Sequence, residues 1–181
     1  WLLIRHADAL KTPDGPPAHL WRAITGALES ILPGVTRIRV HERRILVEGD
    51  SFRDVLLSTL SDGYLTTVGW IIDIIARWID LAERRKEAIA GDFLQQMTGI
   101  VLLDELDLHL HPEWQRKIID QVRSLFQRMT FIITTHNPAV LDGLNLHDDE
   151  QRLFVVSRDD QGHTRTRRIS VKPELKEAKY K

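Results

Sequence analysis

The sequence predicts an α/β fold whose core is a parallel sheet flanked by helices, with a β-hairpin added. Three observations carry this. The apolar run Gly99-Ile100-Val101-Leu102-Leu103 stops abruptly at Asp104-Glu105. A second run, Phe131-Ile132-Ile133, stops at Thr134-Thr135-His136, and a helical pattern lies between the two. Strand, helix, strand at this spacing is a βαβ crossover, which puts both strand C-termini on one edge of a parallel sheet. The continuous apolar run further predicts a strand buried on both faces.

Residues 1–17 open apolar and break at Thr12-Pro13-Asp14-Gly15-Pro16-Pro17, a loop. Residues 18–32 suit a helix with Leu20, Ile24, Ala27 and Ile31 on one face, stopped by Pro33-Gly34. Arg37–Val40 and Ile45–Val47 read as a hairpin turning at Glu42-Arg43, and a short strand follows over 54–57. A long apolar helix is expected from Leu65 to Glu87, with Asp73 and Arg77 four apart and able to pair. Residues 88–98 read as a connecting loop. The crossover helix starts at Pro112-Glu113 and carries Trp114, Ile118, Val122 and Leu125 at helical spacing. Asn137-Pro138 reads as an N-cap and first helical residue, and Leu153–Val156 as a strand extending the sheet edge.

With 43% apolar residues in 181, one core can form and two full domains have little room. The absence of cysteine excludes a disulfide scaffold and fits a reducing compartment. Nothing resembles a signal peptide, and the most apolar helix carries Asp73, Arg77 and Asp80, so no membrane span is expected. The expected location is the cytoplasm. The net charge of −1 says nothing about partners.

An acidic pair at a strand C-terminus is costly unless something cationic or catalytic uses it. Asp104 followed by Glu105 offers one carboxylate for Mg²⁺ and a second to orient and deprotonate water. The structural alternative is a pair of acids capping the next helix. The crossover should bring Asp104, Glu105 and His136 together. Ser61-Asp62-Gly63, just before the long helix, supplies a hydroxyl, free N–H groups and the positive end of a helix dipole, which suit a phosphate. A plain N-cap is the alternative there.

These residues resemble a family. Ile100 to Glu105 looks like a Walker B motif with its glutamate, and Leu106-Asp107-Leu108-His109-Leu110-His111-Pro112 resembles the D-loop and His-Leu-His-Pro segment of bacterial ABC-type ATPases of the AAA/OLD-like group. Thr134-Thr135-His136-Asn137-Pro138 is similar to their switch histidine, with Asn137 where Ser is commoner. Leu60-Ser61-Asp62-Gly63-Tyr64 looks like their signature motif, and the order of motifs is the family's order. The resemblance spans about residues 36 to 157.

No Gly-x-x-x-x-Gly-Lys-[Ser/Thr] occurs in the 181 residues, so the P-loop of such an ATPase is missing from them. The expectation is the C-terminal portion of a longer P-loop NTPase of ABC type. Residues 1–35 would be a helical lead-in from a missing N-terminal part, and 36–181 the C-terminal portion of the ATPase. A half-ATPase that has lost hydrolysis is the alternative, against which the intact Glu105 and His136 argue.

The resemblance implies magnesium-dependent ATP hydrolysis by a homodimer, or a higher oligomer, closed around ATP. Asp104 would hold Mg²⁺ through water, Glu105 would polarise the attacking water, and His136 would bond the γ-phosphate. Ser61, Asp62 and Gly63 would complete the site of the neighbouring subunit. By family analogy the role is DNA-linked, with anti-phage defence, through a nuclease or toxin partner, ahead of DNA repair. The competing reading is a non-hydrolysing platform for dimerisation or partner binding.

Two features invite other readings. His109-Leu110-His111 resembles a metal-ligand pair but has no Cys cluster with it, and the helix-start role serves it better. From His163 onward seven Lys/Arg (165, 167, 168, 172, 176, 179, 181) face two Glu (174, 177), an excess that could touch nucleic acid but that a solvated terminus explains better.

Overall fold

The computed structural model describes residues 1–89, 91–145, 148 and 150–169. The chain divides into two compact units, Trp1–Asp142 and Gly143–Lys181.

The first unit opens with α1 (Leu2–Lys11) and α2 (Pro16–Ile31), joined by the proline-rich loop. The apolar opening is thus already helical, and Pro16 starts α2 two residues earlier than the periodicity gives, where its missing N–H costs nothing. Ile24 and Leu28 of α2 are fully buried. Strands β1 (Val35–His41) and β2 (Arg44–Gly49) form the expected antiparallel hairpin, joined by β3 (Val55–Leu56). Its two-residue turn takes positive φ at both Glu42 (47°) and Arg43 (60°), the twist a tight hairpin requires.

After a short 3-10 turn at Leu57–Thr59 comes α3 (Asp62–Arg85), the long helix. It buries Gly63, Thr67, Val68, Ile71, Ile75, Ile79 and Ala82 along one face. Ile71, Ile75 and Ile79 have no exposed surface; each such burial contributes roughly 1.5–3 kcal/mol. Asp73 and Arg77 pair on the opposite face at 2.7 Å, as their spacing predicts. Lys86 ends the helix in the left-handed conformation. The connection read as a loop over 88–98 contains a helical turn, α4 (Phe93–Gln96), because Phe93 stacks on Trp78 at 5.8 Å and is buried.

Strands β4 (Gly99–Leu103) and β5 (Met129–Ile133) pair in parallel, Leu103 opposite Ile133, which confirms the βαβ reading. The crossover helix is broken into α5 (Pro112–Gln115) and α6 (Ile118–Leu125), with a turn at Arg116-Lys117. Trp114, Ile118 and Val122 are buried as their spacing predicts. The strands depart from the expectation of burial on both faces. Ile100, Leu102 and Ile132 are 68%, 74% and 54% exposed. Among the described residues packing reaches the other face, where Phe126 meets Phe131 at 5.8 Å. A 3-10 segment, Pro138–Gly143, follows β5 and crosses into the second unit at its last residue.

In the second unit β6 (Leu153–Arg158) pairs with β7 (Thr164–Ile169), Leu153 opposite Ile169. The expectation that Leu153–Val156 extends the parallel sheet is therefore corrected: its hydrogen-bonding partner is the strand after a tight turn. Asp159 fixes that turn by accepting the N–H groups of Gln161 and His163. The basic residues Lys172, Lys176, Lys179 and Lys181 lie outside the described residues. Among those described, no helix is long and apolar enough to cross a membrane.

Candidate functional site

Parallel pairing of Leu103 with Ile133 places the two strand ends side by side, so Asp104 and Thr134 become neighbours. The Thr134 N–H donates to the Leu103 carbonyl at 2.9 Å and prolongs the ladder by one bond. Its hydroxyl donates to the Asp104 carboxylate and accepts the Glu105 N–H at 2.9 Å. One hydroxyl thus fixes both acids. Glu105 itself sits in the left-handed region (φ 49°), a conformation that costs a non-glycine residue on the order of 1–3 kcal/mol and concentrates at functional sites. The Leu106 N–H, donating to the Thr134 carbonyl at 3.3 Å, closes the turn behind it.

His136 follows two residues after Thr134. Its side chain is 92% exposed, and Nε2 lies 3.8 Å from Glu105 Oε1. That separation exceeds a direct hydrogen bond. Both groups face solvent with free polar atoms near each other, where a third molecule can bond to both. The predicted convergence of Asp104, Glu105 and His136 is what the structure shows.

The turn after the acids is held from two sides. The Thr135 hydroxyl donates to the Asp107 carboxylate. Asn137 caps the 3-10 segment as its position predicts, Oδ1 accepting the Ala139 N–H at 2.9 Å. Its amide nitrogen donates to Gln115 Oε1 at 2.7 Å. On the other side lies the start of α3. Ser61 is the N-cap of α3 by position, yet its hydroxyl makes no capping bond. Ser61 and Asp62 are exposed, while Gly63 is buried against the His109 carbonyl. Tyr64 donates its hydroxyl to the Pro33 carbonyl at 2.6 Å and meets the Trp114 ring at 5.3 Å. Burial pushes the Tyr64 phenol above its ordinary range.

The fit to a divalent cation follows from the donor set. Among the described residues no group of three His, Asp, Glu or Cys is placed to enclose a metal. Mg²⁺ does not need such a cage: it keeps several waters and takes one or two carboxylates beside phosphate oxygens. Asp104, exposed and held by a hydroxyl, fits that mode. His111 is turned to another use, its Nδ1 accepting the Glu113 N–H at 3.4 Å to cap α5.

Sequence reasoning named the acids and the histidine and passed over the groups that hold them: Thr134, Thr135 and Gln115. A signal for the first was present. In a parallel pair, residues one step beyond registered strand ends are neighbours, so a threonine opposite an aspartate was readable. Gln115 carried no such signal, since two of its partners are backbone carbonyls of a turn and the third, Asn137, lies 22 residues away.

Known proteins resemble this chain. Residues 53–142 match the family model described as "AAA domain, putative AbiEii toxin, Type IV TA system". The chain is 37% identical over 135 residues to the retron Ec83 probable ATPase of Escherichia coli, covering 74% of this chain and 23% of that protein. It is 40% identical over 113 residues to the Septu protein PtuA of Bacillus mycoides, covering 56% of this chain and 14% of that protein. The chain therefore spans about a quarter or less of the length of these relatives. Among solved structures, one from work on ATP-driven dimerization and DNA-stimulated activation of SMC ATPases superposes with a TM-score of 0.55 at 16% identity, covering 88% of this chain and 91% of that one. An Smc head domain bound to the C-terminal domain of ScpA from Pyrococcus furiosus gives 0.54 at 15% identity, covering 90% and 38%. These show the fold, which is the P-loop ATPase head of ABC type. The motifs, the family match over residues 53–142 and the relatives agree in supporting the bacterial AAA/ABC-like ATPase group.

Proposed function

We propose that the protein hydrolyses ATP with Mg²⁺, this chain supplying the acidic, histidine and signature parts of the site. The observation that carries the reading is the Glu105–His136 pair beside Thr134-held Asp104, at the C-terminal edge of two parallel strands. Glu105 takes the proton of the attacking water, its carboxylate presented by a strained turn that Thr134 braces. His136 donates to the γ-phosphate. Asp104 would hold Mg²⁺ through water, the ion neutralising charge on the phosphate oxygens. Positioning and charge stabilisation are what phosphoryl transfer asks of a protein.

Dimerisation around ATP is part of the same proposal. Ser61, with its uncommitted hydroxyl, and the N–H groups of Asp62 and Gly63 would meet the nucleotide of a second subunit. ATP-driven dimerization is named for SMC ATPases that share the fold, which supports this arrangement. The retron and Septu names of the relatives support a place in anti-phage defence; a cytoplasmic location, a link to DNA and an effector protein, nuclease or toxin, join the proposal by family analogy alone.

The test is steady-state phosphate release by the full-length protein. ATP turnover that EDTA abolishes and Mg²⁺ restores is expected. Purified protein without turnover, alone or with DNA, would overturn the reading in favour of a non-hydrolysing platform.

A further inference from the structure

Gln115 is a buried polar side chain, 9% exposed, with every polar atom in use. Its Nε2 donates to the Leu110 carbonyl at 2.9 Å and to the Asp107 carbonyl at 3.3 Å. Its Oε1 accepts from Asn137 Nδ2 at 2.7 Å. The orientation of the amide is dictated by chemistry, because carbonyl oxygens only accept and must face the NH₂ end. Asn137 is fixed in turn, since its Oδ1 is committed to the Ala139 N–H.

We infer that Gln115 is a positioning residue, which holds the Asp107–Leu110 turn and the His136-Asn137 segment in one register. The two segments come from opposite strands of the crossover, and each carries part of the site. The turn follows Glu105 directly and presses its His109 carbonyl on Gly63 of the signature. The other segment carries His136. Thr135–Asp107 is a second, half-buried tie at the same junction. A displacement at Asn137 is transmitted through one rigid amide to the turn, and from there to the start of α3. A buried, fully satisfied polar link of this kind rigidifies its surroundings, whereas an apolar side chain of equal size would fill the space and leave the two segments free to slide.

The inference rests on the ATP-hydrolysis reading for its kinetic consequence. Misplacing reacting groups by about an ångström costs up to ~10²-fold in rate, so uncoupling His136 from the turn should show in kcat. Gln115→Met keeps the volume and removes all three bonds. In the full-length protein it should lower kcat about tenfold or more, leave the KM for ATP nearly unchanged, and speed hydrogen exchange in 106–111 and 135–140 together. Asn137→Ala should do the same, and the double variant should lose little more than either single one, because both cut one link. Gln115→Glu keeps the shape and the acceptor for Asn137 but sets oxygen against the two carbonyls; it should also lower kcat, and it serves where the methionine variant folds poorly. A lowered melting temperature with kcat per folded molecule unchanged would make Gln115 structural only and overturn the inference. So would losses in the two single variants that multiply in the double. If the wild-type protein turns over no ATP, the hydrolysis reading fails separately, and exchange decides: coupled acceleration in both segments upholds the link, and unchanged exchange overturns it.

Discussion

A Cβ at Gly63 would lie 2.4 Å from the carbonyl oxygen of His109 and 3.1 Å from its carbon. The start of α3 and the turn after the acids therefore meet backbone to backbone, and only glycine permits that approach. Gly63→Ala is expected to force the turn away. Overpacking of this kind costs about 1–3 kcal/mol, or roughly a 2–12 °C drop in melting temperature for a chain of this size. Because the turn follows Glu105, phosphate release should fall as well. A thermal melt that superposes on wild type would show that the two segments accommodate the methyl group.

Glu105→Gln keeps the size of the side chain and the bond from its N–H to Thr134 Oγ1, while removing the base. ATP binding by the full-length protein should persist and turnover should fall by ~10²-fold or more. Near-wild-type turnover would show that Glu105 is not the base.

The legible part of this molecule was its chemistry-bearing edge. Strand ends are marked in sequence by apolar runs that stop at polar residues, and parallel pairing then dictates that Asp104, Glu105 and His136 converge. The turn at Glu42-Arg43 and the ion pair of Asp73 with Arg77 were readable for a similar reason, since both depend on local spacing. What was illegible depends on distant packing. Phe93 turns a loop into a helical turn because Trp78 is there to stack on. The crossover helix breaks at Arg116-Lys117 although its apolar spacing runs on unbroken. The exposure of Ile100 and Leu102 is set by what lies over the sheet, a property no strand encodes alone.

The isolated 181-residue chain should not bind ATP measurably. Most nucleotide affinity in such sites comes from P-loop amides and the P-loop lysine, and the sequence contains no P-loop motif. Calorimetry is the check. Micromolar affinity would mean that the phosphates sit elsewhere than the acidic edge.

The β6–β7 hairpin should lose stability in acid. The backbone N–H of His163, the Arg165 guanidinium and the N–H of Gln161 hold the Asp159 carboxyl below its usual range. A folded-state pKa below the unfolded one stabilises at pH above the unfolded value, near ~3.9, and that stabilisation is lost as pH falls through the folded value. Amide chemical shifts of 153–169, followed from pH 7 downward, should therefore show the hairpin weakening as pH falls below about 4. Asp159→Ala should weaken the hairpin already at neutral pH and remove that acid-dependent component. An acid response unaltered by the substitution would place the titrating group elsewhere.

Ser61 distinguishes a site completed within one subunit from one completed between two. Its hydroxyl caps nothing in its own helix, and it stands at the positive end of α3, where a phosphate oxygen is favoured. Ser61→Glu sets a negative charge there. If the phosphate belongs to a second subunit, the variant should bind ATP nearly as well as wild type but fail to dimerise on ATP and fail to hydrolyse it, because like charges would meet across the interface. Mixing Ser61→Glu with Glu105→Gln protein then separates the geometries. In a heterodimer with shared sites, one site carries both defects and the other carries neither, so part of the activity should return. With sites confined to single subunits, each site keeps its own defect and nothing returns. Heterodimer formation is verified by differential tagging, and a dimer that forms without recovering activity would count against the shared arrangement.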